Sequence, residues 1–186
     1  MNRFVVTDLP LAGLKLVERQ HLDDRRGFLS RLFCAEELAA AGWAKPIAQI
    51  NHTRTIKRGT VRGLHFQRPP HTEMKLVSCI RGKIWDIAVD VRSNSPTFLH
   101  WHAEHLSVDN GRAYLIPEGF AHGFQTLTED VDLLYCHSAA YCSSAEAGLN
   151  PMDARLAITW PLVINELSVR DSAHPLIGTD FKGVRL

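Results

Sequence analysis

The chain has 186 residues, 45% of them hydrophobic and 22% charged, which suits one domain with its own buried core. Lys+Arg 21 against Asp+Glu 20 gives a formal net charge of +1. That balance argues against a broad electrostatic grip on nucleic acid or on an anionic membrane, and leaves room for a local cationic pocket.

No apolar run approaches the ~18 residues of a membrane span. The N-terminal segment lacks the basic start and long apolar core of a secretory signal. Cys34, Cys79, Cys136 and Cys142 form no CxxC pair, so they read as reduced thiols of a cytoplasmic protein.

In chain order, short runs rich in Val, Ile, Phe, Trp and Tyr predict strands at 4–6, 14–17, 59–66, 75–80, 83–91, 98–106, 113–117, 120–127 and 131–138. Turn residues separate them, as in an antiparallel all-β sandwich or barrel. Residues 34–41 (CAEELAAA) predict one short helix, 143–148 a turn of helix, 161–167 another short element, and 170–186 an irregular tail. In the run 83–91, alternation puts Asp86 and Asp90 on one face with Ile84 and Ala88, and Trp85, Ile87, Val89 and Val91 on the other. The two carboxylates either line a pocket or face water.

Two segments stand out chemically. The first is Arg62-Gly-Leu-His65-Phe-Gln67, with Lys75 following. The second, Gly111 to His122, matches the G-x5-P-x-G-x2-H half of the cupin signature, in which a tight turn delivers a His to the barrel mouth. The first half of that signature supplies HxH for a metal, and here the corresponding strand offers only His65. The chain's HxH, His100-Trp-His102, continues to Glu104 and His105 on another strand and reads as an exposed sheet face. No metal is therefore expected.

Without a metal, His65, Lys75, Asp86, His122, Tyr135 and Arg62 suit proton abstraction beside a carbonyl on a phosphate-bearing substrate. His moves protons near neutrality. Lys stabilises an oxyanion, and Arg forks onto phosphate. Strict alternation places Arg62 and His65 on opposite faces, so sharing a pocket requires a bulge, for which Gly63 is the natural place.

The chain resembles the dTDP-4-dehydrorhamnose 3,5-epimerase family. The likeness rests on Asp24-x-Arg26-Gly-Phe28, Gln49-x-Asn51-His52, Arg62-Gly-Leu-His-Phe-Gln67, Lys75-Leu-Val, Trp85-Asp-x-Ala-Val-Asp-x-Arg92, Ser95-Pro-Thr-Phe98, Ile116-Pro-Glu-Gly-Phe-Ala-His-Gly-Phe124, Leu134-Tyr135, Ile158-x-Trp-Pro161 and Ser168-x-x-Asp171. It implies a single cupin-type double-stranded β-helix (a jelly-roll barrel) over residues 1–186, with an N-terminal arm over about 1–30, a few short peripheral helices and an irregular tail over about 162–186.

By the same resemblance His65 is the base, Asp171 its orienting carboxylate, Tyr135 the acid on the opposite face and Lys75 the enolate stabiliser. Arg26, Gln49, Asn51, Arg62, His122, Arg31, Asp86 and Arg170 line the substrate site. The resemblance also implies no cofactor, a nucleotide-linked keto sugar as substrate and a homodimer in which Arg26 serves the neighbour's pocket.

Several positions depart from the family pattern. Arg31 replaces a Glu expected near the nucleotide base, Ile50 a common acid, Ala140 one of two tyrosines, and Arg170 a common Lys. Residues 150–153, Asn-Pro-Met-Asp, replace a Trp-Asn/Asp-Asp stretch. Alternatives are therefore epimerisation at C3 only, a GDP- or CDP-linked sugar, and, from another class, a non-catalytic sugar-binding cupin.

Overall fold

The computed structural model describes residues 2–186. In chain order the strands are β1 (Phe4–Asp8), β2 (Lys15–Arg19), β3 (His21–Asp24), β4 (Gly27–Ser30), β5 (Gln49–Thr55), β6 (Thr60–Gln67), β7 (Lys75–Arg81), β8 (Lys83–Asp90), β9 (Trp101–Ser107), β10 (Arg112–Ile116), β11 (Phe120–Thr126), β12 (Val131–His137), β13 (Glu146–Gly148) and β14 (Glu166–Leu167). Two short helices, α1 (Ala35–Ala39) and α2 (Val169–Ser172), lie between β4 and β5 and after β14.

The strands form two facing sheets. One runs β1-β2-β10-β7-β12-β5; the other runs β13-β6-β11-β8-β9, with β14 beside β6. Pairing is antiparallel except for the short β14–β6 ladder. This is the cupin-type jelly roll expected from the sequence.

Alternation explains the layers. Val77, Cys79, Leu133 and Tyr135 of the first sheet and Ile84, Ala88, Phe120 and Phe124 of the second fill the space between them. On the outer face of the second sheet, Ile87, Val89 and Val91 pack under the C-terminal segment with Leu156 and Ile177. There Trp85 stands edge-on to Trp101 and Trp160, with ring centroids 5.7 and 5.4 Å apart. The outer face of the first sheet is covered by Leu38 of α1 and by Trp43. Each fully buried aliphatic side chain of this kind contributes about 1.5–3 kcal/mol. Because β8 is covered on both faces, Asp86 and Asp90 are fully buried, which excludes the water-facing alternative for their face.

Asp90 accepts hydrogen bonds from Arg92, Ser95 and Thr97, which ties the β8–β9 turn together. That turn delays the strand expected from residue 98 until Trp101.

Other differences have similar causes. Residues 143–148, expected as a helical turn, include β13, because Glu146 to Gly148 find ladder partners in Gln67 to His65. The β3–β4 hairpin and β5 lack a strong apolar run, and their pairing is set by neighbours. The tail is not irregular throughout: Leu167 pairs with Val61, α2 follows, and Val184 bridges Arg92.

Candidate active site

The interior of the sandwich changes character along its length. On β7 the inward row runs Lys75, Val77, Cys79, and on β12 it runs Val131, Leu133, Tyr135, His137. Register places His137 opposite Lys75, and Asn51 of β5 opposite Tyr135. One end of the interior is therefore apolar, and the other is a polar mouth.

From the second sheet, His122 of β11 pairs with His65 of β6, and Phe124 pairs with Arg62. Three steps on β6 oppose two on β11, which is the bulge that alternation required. Gly63 sits in it with φ +132, and a Cβ there would lie 2.6 Å from Gly123 Cα. The bulge brings Arg62 and His65 to the same cavity, of about 280 Å³. Asn51, Lys75, His122, Tyr135 and Arg170 also line it. Past Arg62, His65 and Arg170 it opens into a wider groove of about 740 Å³.

Three imidazole–carboxylate pairs surround the cavity. His65 Nε2 lies 2.8 Å from Asp171 Oδ1, and Asp171 Oδ2 accepts the Gly63 N–H at 3.2 Å. Burial pushes the Asp171 carboxyl up, but the hydrogen bond and charge of His65 with the Gly63 N–H outweigh it and hold the group at about 2. An ionised Asp171 must accept, so His65 carries its proton on Nε2 and its free lone pair on Nδ1. Ser168 caps α2 through the Asp171 N–H, which fixes the carboxylate's position.

In the second pair, His122 Nε2 lies 2.7 Å from Asp86 Oδ1. Asp86 sits behind the imidazole, and its other oxygen has no hydrogen-bond partner among the described residues. Burial raises the Asp86 carboxyl, and the charge of His122 offsets part of that.

The third pair is His137 Nδ1 with Glu73 Oε2 at 2.9 Å, and Glu73 Oε1 is 3.2 Å from Lys75 Nζ. Burial raises Glu73, and His137 and Lys75 together bring it below the usual range. Lys75 is 6% exposed, also donates to the His65 carbonyl at 3.2 Å, and lines the cavity beside His65.

Tyr135 stacks on His137 and meets His122 edge-on, with centroids 5.9 and 5.8 Å away. Burial first, and then the Asp86 charge, push its phenol well above its ordinary range, so it holds its proton.

The structure thus brings His65, Tyr135, Asp171, Lys75, Asn51, Arg62, His122 and Arg170 together, with Asp86 behind His122. Gln49 stands one step back, donating to Asn51 and accepting the Tyr141 N–H. Arg26 lies on the β3–β4 hairpin paired with Asp24, and Arg31 pairs with Glu37; neither reaches this cavity. His102 bonds Glu104 on β9, also outside it.

Glu73, His137, Tyr141 and Glu146 line the cavity without having been singled out in the sequence. For one of them a signal was present: His137 lies two residues from Tyr135 on the same face of β12, whereas Glu73 precedes β7.

Residues 8–178 match the family described as dTDP-4-dehydrorhamnose 3,5-epimerase. A curated relative of that name from Sinorhizobium fredii is 39% identical over 176 residues, covering 94% of this chain and 90% of that one. The dTDP-6-deoxy-D-glucose-3,5-epimerase of Legionella pneumophila, solved with dTDP-4-keto-L-rhamnose, superposes with TM-score 0.91 at 34% identity over 98% of each chain. The dTDP-4-dehydrorhamnose 3,5-epimerase of Bacillus anthracis, solved with TDP and pyrophosphate, gives TM-score 0.90 at 36% identity, covering 94% of this chain and 99% of that one.

Proposed function

We propose, on the premise that the chain belongs to the dTDP-4-dehydrorhamnose 3,5-epimerase family, how its cavity performs that family's reaction. The protein is an isomerase that inverts C3 and C5 of a dTDP-linked 4-keto-6-deoxy sugar by proton removal and return through an enolate.

The observation that carries the residue assignments is that His65 and Tyr135 come from opposite sheets and line one cavity, with Lys75 also lining it. His65 Nδ1 takes the proton α to the C4 ketone, and Asp171 stabilises the imidazolium. Lys75 compensates the enolate oxygen. Tyr135 returns a proton from the other face, which inverts the centre. Solvent then takes the proton from His65 and returns one to Tyr135, and the same two groups act again at the second α carbon. Arg62 and Arg170, at the junction with the wider groove, hold the diphosphate. His122, oriented by Asp86, and Asn51, oriented by Gln49, bind sugar oxygens.

The test is turnover of the dTDP-linked 4-keto-6-deoxy sugar in D2O. NMR should show deuterium at both C3 and C5 with inversion at each. Binding without exchange would instead make the chain a sugar-binding cupin.

The finer assembly belongs to this reading too. The β3–β4 hairpin exposes Leu22, Phe28 and Leu29 and carries Arg26 away from its own cavity. A second copy would cover the apolar hairpin and receive Arg26, so we assign a homodimer. A monomer by light scattering would remove this assignment. Among the described residues no helix is long and apolar enough to cross a membrane. The four cysteines are free thiols, which supports a reducing, cytoplasmic setting.

A further inference from the structure

His174, in the segment after α2, takes no part in the reaction derived above, yet it packs against its centre. Its ring lies over Gly148, where a Cβ would come within 2.2 Å of His174 Nε2. Gly148 is the strand partner of His65. The two imidazoles meet edge-on with centroids 6.0 Å apart. His174 Nε2 is buried and has no hydrogen-bond partner among the described residues. One ligand atom from each of His65, Asp171 and His174 falls within a 4.8 Å group.

We propose that His65, Asp171 and His174 form an inhibitory binding site for a divalent transition-metal ion, zinc above all. Two imidazoles and one carboxylate are a zinc donor set, leaving a fourth position for water. Tetrahedral zinc holds its donors roughly 3.3 Å apart, so rotation of the His174 side chain closes the set. The ion takes the place of the His65 Nε2 proton that faces Asp171, and the imidazole takes a proton on Nδ1 instead. A neutral imidazole bound through Nε2 carries its proton on Nδ1, so no lone pair remains to take a proton from the sugar.

His174 arrives ready to ligate, since its buried Nε2 has no hydrogen-bond partner among the described residues to give up. Arg170 opposes the ion, with Nη2 3.3 Å from His65 Nε2 and Nε 3.6 Å from Asp171 Oδ1, but its side chain is largely exposed and its Nη1 bonds Glu146, so binding requires the guanidinium to swing outward. The inhibition rests on the epimerase reading; the binding does not.

The experiment titrates zinc chloride into the full chain by calorimetry and follows solvent-deuterium exchange into the keto sugar, with and without EDTA. The wild type should bind one zinc and lose exchange until EDTA is added. His174→Gln should bind zinc at least tenfold more weakly and keep its exchange in the same zinc. Equal binding by His174→Gln, or none by the wild type, overturns the proposal. Should His174→Gln fail to fold, 1H–15N spectra of histidine-labelled wild type decide: zinc must shift both the His65 and His174 Nε2 signals, and unshifted signals overturn the site. Absence of exchange in zinc-free wild type would instead count against the epimerase reading and leave the binding result standing.

Discussion

His65 and Tyr135 face one cavity from opposite sheets, His65 from β6 and Tyr135 from β12. In the proposed mechanism a flat enolate between them would have an imidazole on one side and a protonated phenol on the other. The predictions that follow rest on that proposal.

Removing the base should stop the first step. His65→Ala is expected to lower deuterium exchange at both sugar carbons by about 10²–10⁴-fold, the usual worth of a positioned general base, with the fold intact by circular dichroism. Exchange near the wild-type rate would take His65 out of the mechanism.

The acid should be separable from the base. Tyr135→Phe keeps His65, Asp171 and Lys75 in place and removes only the phenolic proton. It should lower net inversion more than exchange with retention, because the base can still remove a proton and return deuterium on its own face. Equal loss of both would argue against two-face chemistry.

Acid should expose the role of Asp171. Its carboxyl titrates at about 2 in the fold, below the ordinary ~3.9 of an unfolded chain. The unfolded state therefore binds the proton first as pH falls. The contribution to stability is full above about pH 4, and it is lost as pH drops toward the folded value of about 2. Urea midpoints of wild type should fall more steeply from pH 4.5 to 3 than those of Asp171→Asn. Parallel curves would mean that the pair adds nothing to the fold.

The bulge should be intolerant of a side chain. Gly63→Ala puts an L residue at φ +132 and its Cβ 2.6 Å from the Gly123 backbone. The dihedral alone costs about 1–3 kcal/mol, and the clash displaces β6 from β11. Both the unfolding midpoint and the exchange rate should drop, because Arg62 and His65 hang on either side of this residue. An unchanged midpoint would show that the bulge is not needed.

Much of the molecule was legible before folding. Alternation in 83–91 separated Ile84, Asp86 and Ala88 from Trp85, Ile87 and Val89, and the two apolar clusters keep that partition, but which face looks between the sheets was decided only by the fold. The conflict between Arg62 and His65 located the bulge at Gly63, because a period of two leaves no other way to bring both to one side. Polar strands were not legible: β5 and β13 owe their hydrogen bonds to β12 and β6, not to an apolar run of their own.

The sequence by itself determined the β architecture and the residue types able to move a proton. Only the tertiary structure decided which of them meet. His65 and Asp171 are 106 residues apart, and His137 and Glu73 are 64 apart. Local periodicity records which face a side chain occupies. It carries no record of which distant strand end or helix turn will lie against that face, and only sheet register and the packing of the C-terminal segment settle it.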